Sequence, residues 1–101
     1  GYNSASMGYE TFADGEGSIA LGRTTRTYSA YSFAAGFQTF ATAYGSTTLG
    51  LWNDITDSYT LNLPVSTDRL FQIGNGTDNS NRSNAITLLR NGRLGLGTVV
   101  P

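Results

Sequence analysis

Small, hydroxyl-bearing and apolar residues recur with a period of seven over the first fifty positions of the chain. Glycine fills one column of this repeat at positions 1, 8, 15, 22, 36 and 50, and Ser29 and Ala43 complete it. A hydroxyl follows three residues after each of the first seven column positions, at Ser4, Thr11, Ser18, Thr25, Ser32, Thr39 and Ser46. Two residues further on the side chain is always small, as in Ser6, Ala13, Ala20, Thr27, Ala34, Ala41 and Thr48. Self-similarity of this kind indicates a repeat architecture.

The alternation inside each unit favours strands over a coiled coil. A heptad helix needs apolar residues at two positions on good helix formers, and glycine costs about 1 kcal/mol per residue in a helix interior. Between Ser18 and Gly22, small residues alternate with Ile19 and Leu21. Because successive side chains of a strand point to opposite faces, this period of two predicts a short strand, followed by a glycine-assisted turn.

Two kinds of unit alternate, so the full coil has fourteen residues. In one kind the larger positions are mainly apolar, and in the other they are mixed, with Asp14, Arg26, Tyr28 and Thr42 among them. We expect the small column to point into a thin roll and the larger residues to point outward on opposite sides. A continuous apolar stripe does not stay in water on a soluble protein, so the apolar side predicts packing against copies of the chain. The expected contact residues are Met7, Ile19, Leu21, Phe33 and Leu49.

The roll is too thin to support itself. About three and a half coils, spaced by ~4.8 Å, enclose only the small residues Ala, Ser, Gly and Thr. Small scaffolds of this kind usually need disulfides, metals or oligomerisation, so a stable monomer is not expected. On the polar side, aromatic residues beside arginine are typical of binding surfaces. We therefore predict a surface for a protein or glycan ligand, or alternatively one that a neighbouring chain covers, at Phe12, Arg26, Tyr28 and Phe40.

The strings Gly17–Gly22 and Tyr31–Gly36 resemble the S-x-A-x-G head repeats of YadA-like trimeric autotransporter adhesins. The resemblance covers residues 1–50 and implies a left-handed parallel β-roll in a homotrimer on the bacterial outer surface. Thr48 stands where the family has alanine, and the asparagine that precedes the serine is replaced by Gly17, Tyr31 and Gly45. No compact binding motif is shared, so the resemblance implies no particular ligand.

The period ends near position 50, and residues 51–101 are predicted to form a small antiparallel β module. Strand-like stretches are Tyr59–Leu63, Leu70–Ile73, Ala85–Leu89 and Leu94–Leu96, and Asn91-Gly92 is a strong hairpin signal. Trp52 is interpreted either as a cap on the open edge of the last coil or as core. The stretches 73–85 and 90–98 resemble a connector found in long fibre proteins of bacteria and phages.

Composition removes most other functions. Charged residues make up 13% of the 101 positions and net charge is −1, so nucleic acid and anionic membranes are not expected partners. The chain has no cysteine, histidine or lysine, which removes thiol catalysis, cysteine-based zinc sites and the commonest general base. No run approaches the roughly 18 apolar residues of a membrane span. We expect no enzyme activity, cofactor, metal or membrane insertion, and the start at Gly1 in mid-repeat predicts a piece of a longer protein.

Three further candidate sites are weak. Gly92, Gly95 and Gly97 superficially match a phosphate-binding loop, but no helix pattern follows them. A cluster of oxygen ligands that suits Ca²⁺ lacks EF-hand spacing and is interpreted as a polar turn; it comprises Asn75, Asp78, Asn79, Asn81 and Asn84. The carboxylates Glu10, Asp14 and Glu16 have no second partner group for glycoside cleavage.

The predicted function is that of a structural and adhesive segment of a trimeric surface fibre, extracellular and borne by an outer-membrane-anchored parent. The alternative is a segment of a phage tail fibre. A third hypothesis is a solenoid that binds ice or carbohydrate through its regular hydroxyl column, which requires those hydroxyls to point outward. A fourth, a polysaccharide-degrading enzyme, requires activity that depends on Asp14 or Glu16.

Overall fold

The computed structural model describes residues 1–101 and contains strands and turns but no helix. The chain is therefore all-β, as predicted. Its strands are β1 (Ala5–Tyr9), β2 (Phe12–Ala13), β3 (Ile19–Arg23), β4 (Arg26–Thr27), β5 (Phe33–Phe37), β6 (Phe40–Ala41), β7 (Thr47–Leu51), β8 (Arg69–Asn75), β9 (Asn84–Leu89) and β10 (Leu94–Leu96).

The first seven strands form a β-solenoid of about three turns. Strands β1, β3, β5 and β7 lie parallel in one sheet, and the short strands β2, β4 and β6 form a second parallel sheet. Partners are offset by one coil, since Ala5 pairs with Ile19 and Ile19 with Phe33. The second sheet keeps the same offset, from Phe12 to Arg26 to Phe40. The predicted fourteen-residue coil is confirmed.

One residue in every seven turns the corner of the roll in the left-handed conformation. These residues have φ between 38° and 66° and are Asn3, Glu10, Gly17, Thr24, Tyr31, Gln38, Gly45 and Trp52. From Gly17 onward, each of their backbone N–H groups donates to the carbonyl fifteen positions earlier, as Thr24 does to Tyr9 at 2.8 Å. Each of these corners is thus held by the equivalent backbone carbonyl of the preceding coil. Most corners are not glycine, so the predicted glycine-assisted turn is wrong at those positions.

The repeated glycines instead allow neighbouring coils to approach closely. At Gly22 and Gly36 the strand backbone has φ above 100°. A Cβ on Gly22 would lie 2.1 Å from the carbonyl oxygen of Gly36, and one on Gly36 would lie 2.1 Å from that of Gly50. No side chain fits such a distance, so glycine is required by packing as well as by backbone conformation.

Small and polar side chains fill the interior, as predicted. The buried apolar residues are all alanines, namely Ala13, Ala20, Ala30, Ala34, Ala41 and Ala43. The serine column is buried too, and its hydroxyls donate to the carbonyls three residues earlier, as Ser18 does to Gly15 at 2.6 Å and Ser46 to Ala43 at 2.7 Å. These local bonds satisfy hydroxyls that would otherwise be costly to bury.

The second half continues the larger sheet. Strand β8 pairs parallel with β7, and β8, β9 and β10 then pair antiparallel, so that one sheet has seven strands in the order β1-β3-β5-β7-β8-β9-β10. The predicted hairpin at Asn91-Gly92 is present, with Gly92 at φ 92° and the Leu89 N–H donating to Arg93 O at 2.9 Å. The antiparallel module is therefore confirmed, and it is joined to the roll edge by parallel pairing.

The predicted strand Tyr59–Leu63 is wrong. Residues 59–63 have no strand structure, and their only backbone hydrogen bond is from the Ala30 N–H to Leu61 O at 3.3 Å. This segment belongs to the long connection between β7 and β8 and lies beside the roll at Ala30. Without a neighbouring strand, its alternating side chains do not lead to a ladder.

Asn53, rather than Trp52, caps the edge of the shorter sheet. The side-chain oxygen of Asn53 accepts from the Phe40 N–H at 2.8 Å, and its amide nitrogen donates to Phe40 O at 3.1 Å. The side chain of Asn53 thus takes the place of a further strand. Trp52 is half-buried and packs edge-on against Phe37, with ring centroids 4.6 Å apart.

Candidate binding surfaces

The outer side of the seven-stranded sheet forms an apolar face. Met7 is 72% exposed and Ile19 is 38% exposed, whereas Leu21, Phe33 and Leu49 are half-buried by their neighbours on the sheet. All five predicted contact residues therefore lie on the same face of one sheet, as the period of two requires. In the single chain no other element covers them.

The apolar face continues across the second half of the chain. Registers place Phe71 beside Thr47 and Ile73 beside Leu49, and the next strands add further apolar side chains on the same side. These additional members are Ile86, Leu88, Leu94 and Leu96, and Leu96 is 74% exposed. Sequence reasoning missed them as surface residues, although the alternation in β8, β9 and β10 was a usable signal once the pairing to β7 was known.

The outer side of the three-stranded sheet carries an aromatic–arginine face. Phe12, Arg26 and Phe40 lie side by side on neighbouring strands. The Arg26 guanidinium carbon lies 5.6 Å from the centre of the Phe12 ring and 4.8 Å from that of Tyr28. At the far end of the row, the guanidinium of Arg82 lies 4.6 Å from the centre of the Phe40 ring. Such pairs are attractive because the ring face is electron-rich.

Asp14 and Tyr59 complete the surroundings of Arg26 and Tyr28. Arg26 Nε donates to the carboxylate of Asp14 at 2.6 Å, and this hydrogen bond raises the pKa of Arg26 above its ordinary value. Tyr59, from the connection before β8, packs edge-on against Tyr28 with ring centroids 6.1 Å apart. Burial in this contact raises the pKa of Tyr59, so its hydroxyl stays protonated at neutral pH. The face therefore presents two guanidinium groups, those of Arg26 and Arg82, against aromatic rings.

A cleft of about 150 Å³ opens on this face. It is lined by Glu10, Phe12, Thr24, Thr25, Arg26, Tyr28 and Phe40. All four residues predicted as a candidate ligand surface are members of this lining. Sequence reasoning missed Glu10, Thr24 and Thr25, because the corner that brings residues 10 and 24 beside the strands is a left-handed turn with no glycine to mark it.

Arg82 fastens the module to the roll beside this face. Its terminal nitrogens donate to Gln38 O at 3.0 Å, Gln38 Oε1 at 2.9 Å and Asn53 O at 3.3 Å. Burial lowers the pKa of Arg82, but an arginine remains charged at any physiological pH. The sequence placed Arg82 in a polar turn, and only the fold brings it against Phe40.

The weaker candidates do not assemble into sites. Asp78 accepts from the Ser80 N–H at 2.8 Å and from the Asn81 amide at 2.9 Å, as a polar turn does. Asn84 points into the module and donates to Gln72 Oε1 at 2.8 Å. No group of three or more acidic, histidine or cysteine side chains is close enough to hold a metal ion. The structure also contains no helix long and apolar enough to cross a membrane.

The hydroxyl column points inward, which contradicts its direct use in ligand binding. Ser18, Thr25, Thr39 and Ser46 are each 0% exposed, and Ser32 is 2% exposed. A ligand on the surface of the roll meets the larger residues of the outer faces instead. The hypothesis of a solenoid that binds ice or carbohydrate through this column is therefore wrong.

Comparison with known proteins adds no relative to this picture. No protein-family model matches the chain, no curated protein matches it, and no solved structure matches it.

Proposed function

We propose that the chain is a structural and adhesive segment of a homotrimeric surface fibre. The observation that carries this proposal is the distribution of apolar side chains. The buried apolar core contains only alanine, while Met7, Ile19, Leu96 and the other large side chains of the apolar face remain partly or largely exposed. Such a chain buries its hydrophobic surface between molecules rather than inside itself.

The energetics favour assembly. Full burial of a Leu, Ile, Met or Phe side chain gains about 1.5–3 kcal/mol, so side chains already half-buried gain roughly 1 kcal/mol each when a partner covers them. Eleven large apolar side chains of the face, four of them in β9 and β10, are candidates for this gain. The sum is comparable with the whole stability of a small domain.

The number of chains and the winding are proposed from the resemblance of residues 1–50 to YadA-like head repeats. In this proposal three left-handed rolls meet along their apolar faces and the aromatic–arginine faces look outward. An outward face suits contact with an extracellular protein or glycan, and the parent protein is anchored at the bacterial cell surface. The segment itself has no catalytic role, binds no nucleic acid and does not enter the membrane; its net charge of −1 supports the second point.

A phage tail fibre is the second candidate. The continuous sheet through β7 and β8 supports both candidates, because a module built into the roll edge suits the connector that the sequence resembles in bacterial and phage fibres. The sequences that flank this segment in its parent distinguish the two. An outer-membrane anchor supports the adhesin, and a particle-attachment or chaperone domain supports the tail fibre.

Solution mass tests the assembly. Light scattering of the wild type should give three chains, and Ile19→Asp should dissociate or unfold because it places a charge in the contact. Ile55→Asp is the matched control, since Ile55 is 41% exposed, close to the 38% of Ile19, but lies in the connection before β8 and outside the apolar face. A well-folded monomeric wild type, or equal effects of the two substitutions, would contradict the proposal.

A further inference from the structure

The cleft on the aromatic–arginine face contains hydrogen-bonding groups that the chain leaves unused. Arg26 donates from Nε to Asp14, and its two terminal nitrogens have no carboxylate or carbonyl acceptor, although the Tyr28 side chain is close enough to raise the pKa of Arg26. Glu10 is exposed and belongs to none of the three ion pairs in the structure. Thr25 also borders the cleft, but its hydroxyl is buried in the roll and is not a contact for a ligand. Free donors and a free acceptor therefore surround one small concavity.

Aromatic rings form most of the remaining lining, together with Thr24. Phe12 is 54% exposed, while Tyr28 and Phe40 are half-buried and in edge-on contact with ring centroids 6.2 Å apart. Arg26 lies between Phe12 and Phe40 in the register of the sheet, and the hydrogen bond from Nε to Asp14 limits its movement. The aromatic side chains thus form apolar walls of the cleft, and the charged groups of Arg26 and Glu10 lie beside them.

This combination selects a ligand with an apolar face and several hydroxyl groups at its edge. A carboxylate accepts hydrogen bonds from hydroxyls, a guanidinium donates to their oxygens, and C–H groups of a ring pack on aromatic side chains. An anionic ligand would meet Glu10 and Asp14, and a cationic ligand would meet Arg26. The volume of about 150 Å³ is below the 300–1,000 Å³ of typical small-molecule sites, so it admits one ring rather than an extended molecule.

We propose that this cleft binds a single neutral pyranose residue of a glycan, with Glu10 and Arg26 sharing its hydroxyl groups and Phe12 packing on its ring. The inference rests on the proposed function, because it names the ligand class of the surface that the fibre presents. Every lining residue belongs to one chain, so the cleft is complete without a residue from a partner.

Glycan binding by the full chain tests the inference. An array of immobilised oligosaccharides with galactose, glucose, N-acetylhexosamine or sialic acid ends identifies the preferred terminus. Saturation-transfer NMR with the corresponding methyl pyranoside then gives an affinity. We expect binding to a neutral terminus and weaker binding to sialylated glycans.

Variants that remove one charge connect binding to the cleft. Arg26→Gln should weaken binding tenfold or more, because hydrogen bonds to charged groups are the stronger ones, and Glu10→Gln should weaken it several-fold. Arg93→Gln and Glu16→Gln are the matched controls, since both residues are exposed and lie outside the cleft lining; they should stay within twofold of wild type. The ion pair of Arg26 with Asp14 is 44% and 42% exposed, so Arg26→Gln should keep the fold, which circular dichroism checks.

The outcomes separate this inference from the proposed assembly. A trimer that binds no neutral glycan, prefers sialylated ones, or binds equally well as Arg26→Gln overturns the inference and leaves the assembly standing. A monomer whose glycan binding is lost in Arg26→Gln supports the inference and overturns the assembly.

Discussion

Thr24 occupies a left-handed corner of the roll although its side chain branches at Cβ. Its φ is 51°, and its backbone N–H is held by Tyr9 O at 2.8 Å. Gly45 occupies an equivalent corner with φ 66°, and a Cβ built on Gly45 meets nothing within 4 Å. Thr24→Gly therefore relieves backbone strain at one corner. Gly45→Thr introduces it at the other, where the added Cβ meets no neighbouring atom.

The expected magnitudes follow from two opposing contributions. The left-handed conformation costs an L-residue about 1–2 kcal/mol, and this cost disappears in Thr24→Gly. Glycine also has more conformational freedom than threonine in the unfolded chain, and this stabilises the unfolded state by about 0.4–1 kcal/mol. Thr24→Gly should therefore stabilise the fold by roughly 0.5–1 kcal/mol, and Gly45→Thr should destabilise it by a similar amount.

Thermal unfolding measures both changes. A change of 1 kcal/mol moves the Tm of a domain of this size by about 4–8 °C. All variants must be compared at one protein concentration, because the Tm of an assembling chain depends on it. Thr60→Gly, at an exposed position without positive φ, is the control and should lower Tm slightly. A lower Tm for Thr24→Gly, or an unchanged Tm for Gly45→Thr, would refute the strain argument.

Two further predictions concern the connection after β7. Asn53→Ala should cost roughly 2 kcal/mol in urea unfolding, because it leaves the Phe40 N–H and carbonyl without partners, whereas Asn62→Ala at an exposed position should cost little. Burial of Asp54 opposes its ionisation, but hydrogen bonds from Thr56 and Arg69 outweigh burial and hold the pKa of Asp54 below its ordinary value of 3.8. The Asp54 carboxylate therefore stabilises the fold fully above pH 3.8, and this stabilisation is lost as the pH falls through the pKa of the folded state. On acidification the Tm of Asp54→Asn should therefore fall less than the Tm of the wild type. Equal decreases in Tm would contradict this.

The coil could be predicted because its determinants are local and repeated. Small residues at 18, 20 and 22 must face inward if 19 and 21 face outward, and stacking of identical units then follows from the period alone. The candidate cleft was predicted in part for the same reason, since Phe12, Arg26 and Phe40 occupy one position of successive coils.

The rest depends on contacts between distant segments that carry no periodic signal. The pairing of β8 with β7 and the cap from Asn53 depend on the route that the chain takes between β7 and β8, and the sequence does not indicate that route. Arg82 reaches Gln38 over 44 positions of sequence, and nothing near either residue indicates that contact. Tyr59–Leu63 alternates as a strand does, yet it has no neighbouring strand to pair with.

The offset of fourteen residues between paired strands makes the length of the roll adjustable in whole units. Removal or duplication of fourteen residues leaves every remaining side chain on its original face and the strand glycines Gly8, Gly22 and Gly36 in one row. A change of seven would interchange the two faces, so that Arg26 and its equivalents would enter the row now held by Ile19 and Phe33. Genetic variation in the length of such a segment is therefore expected in multiples of fourteen, and a reach tuned by added or lost coils would leave the contact surfaces chemically unchanged.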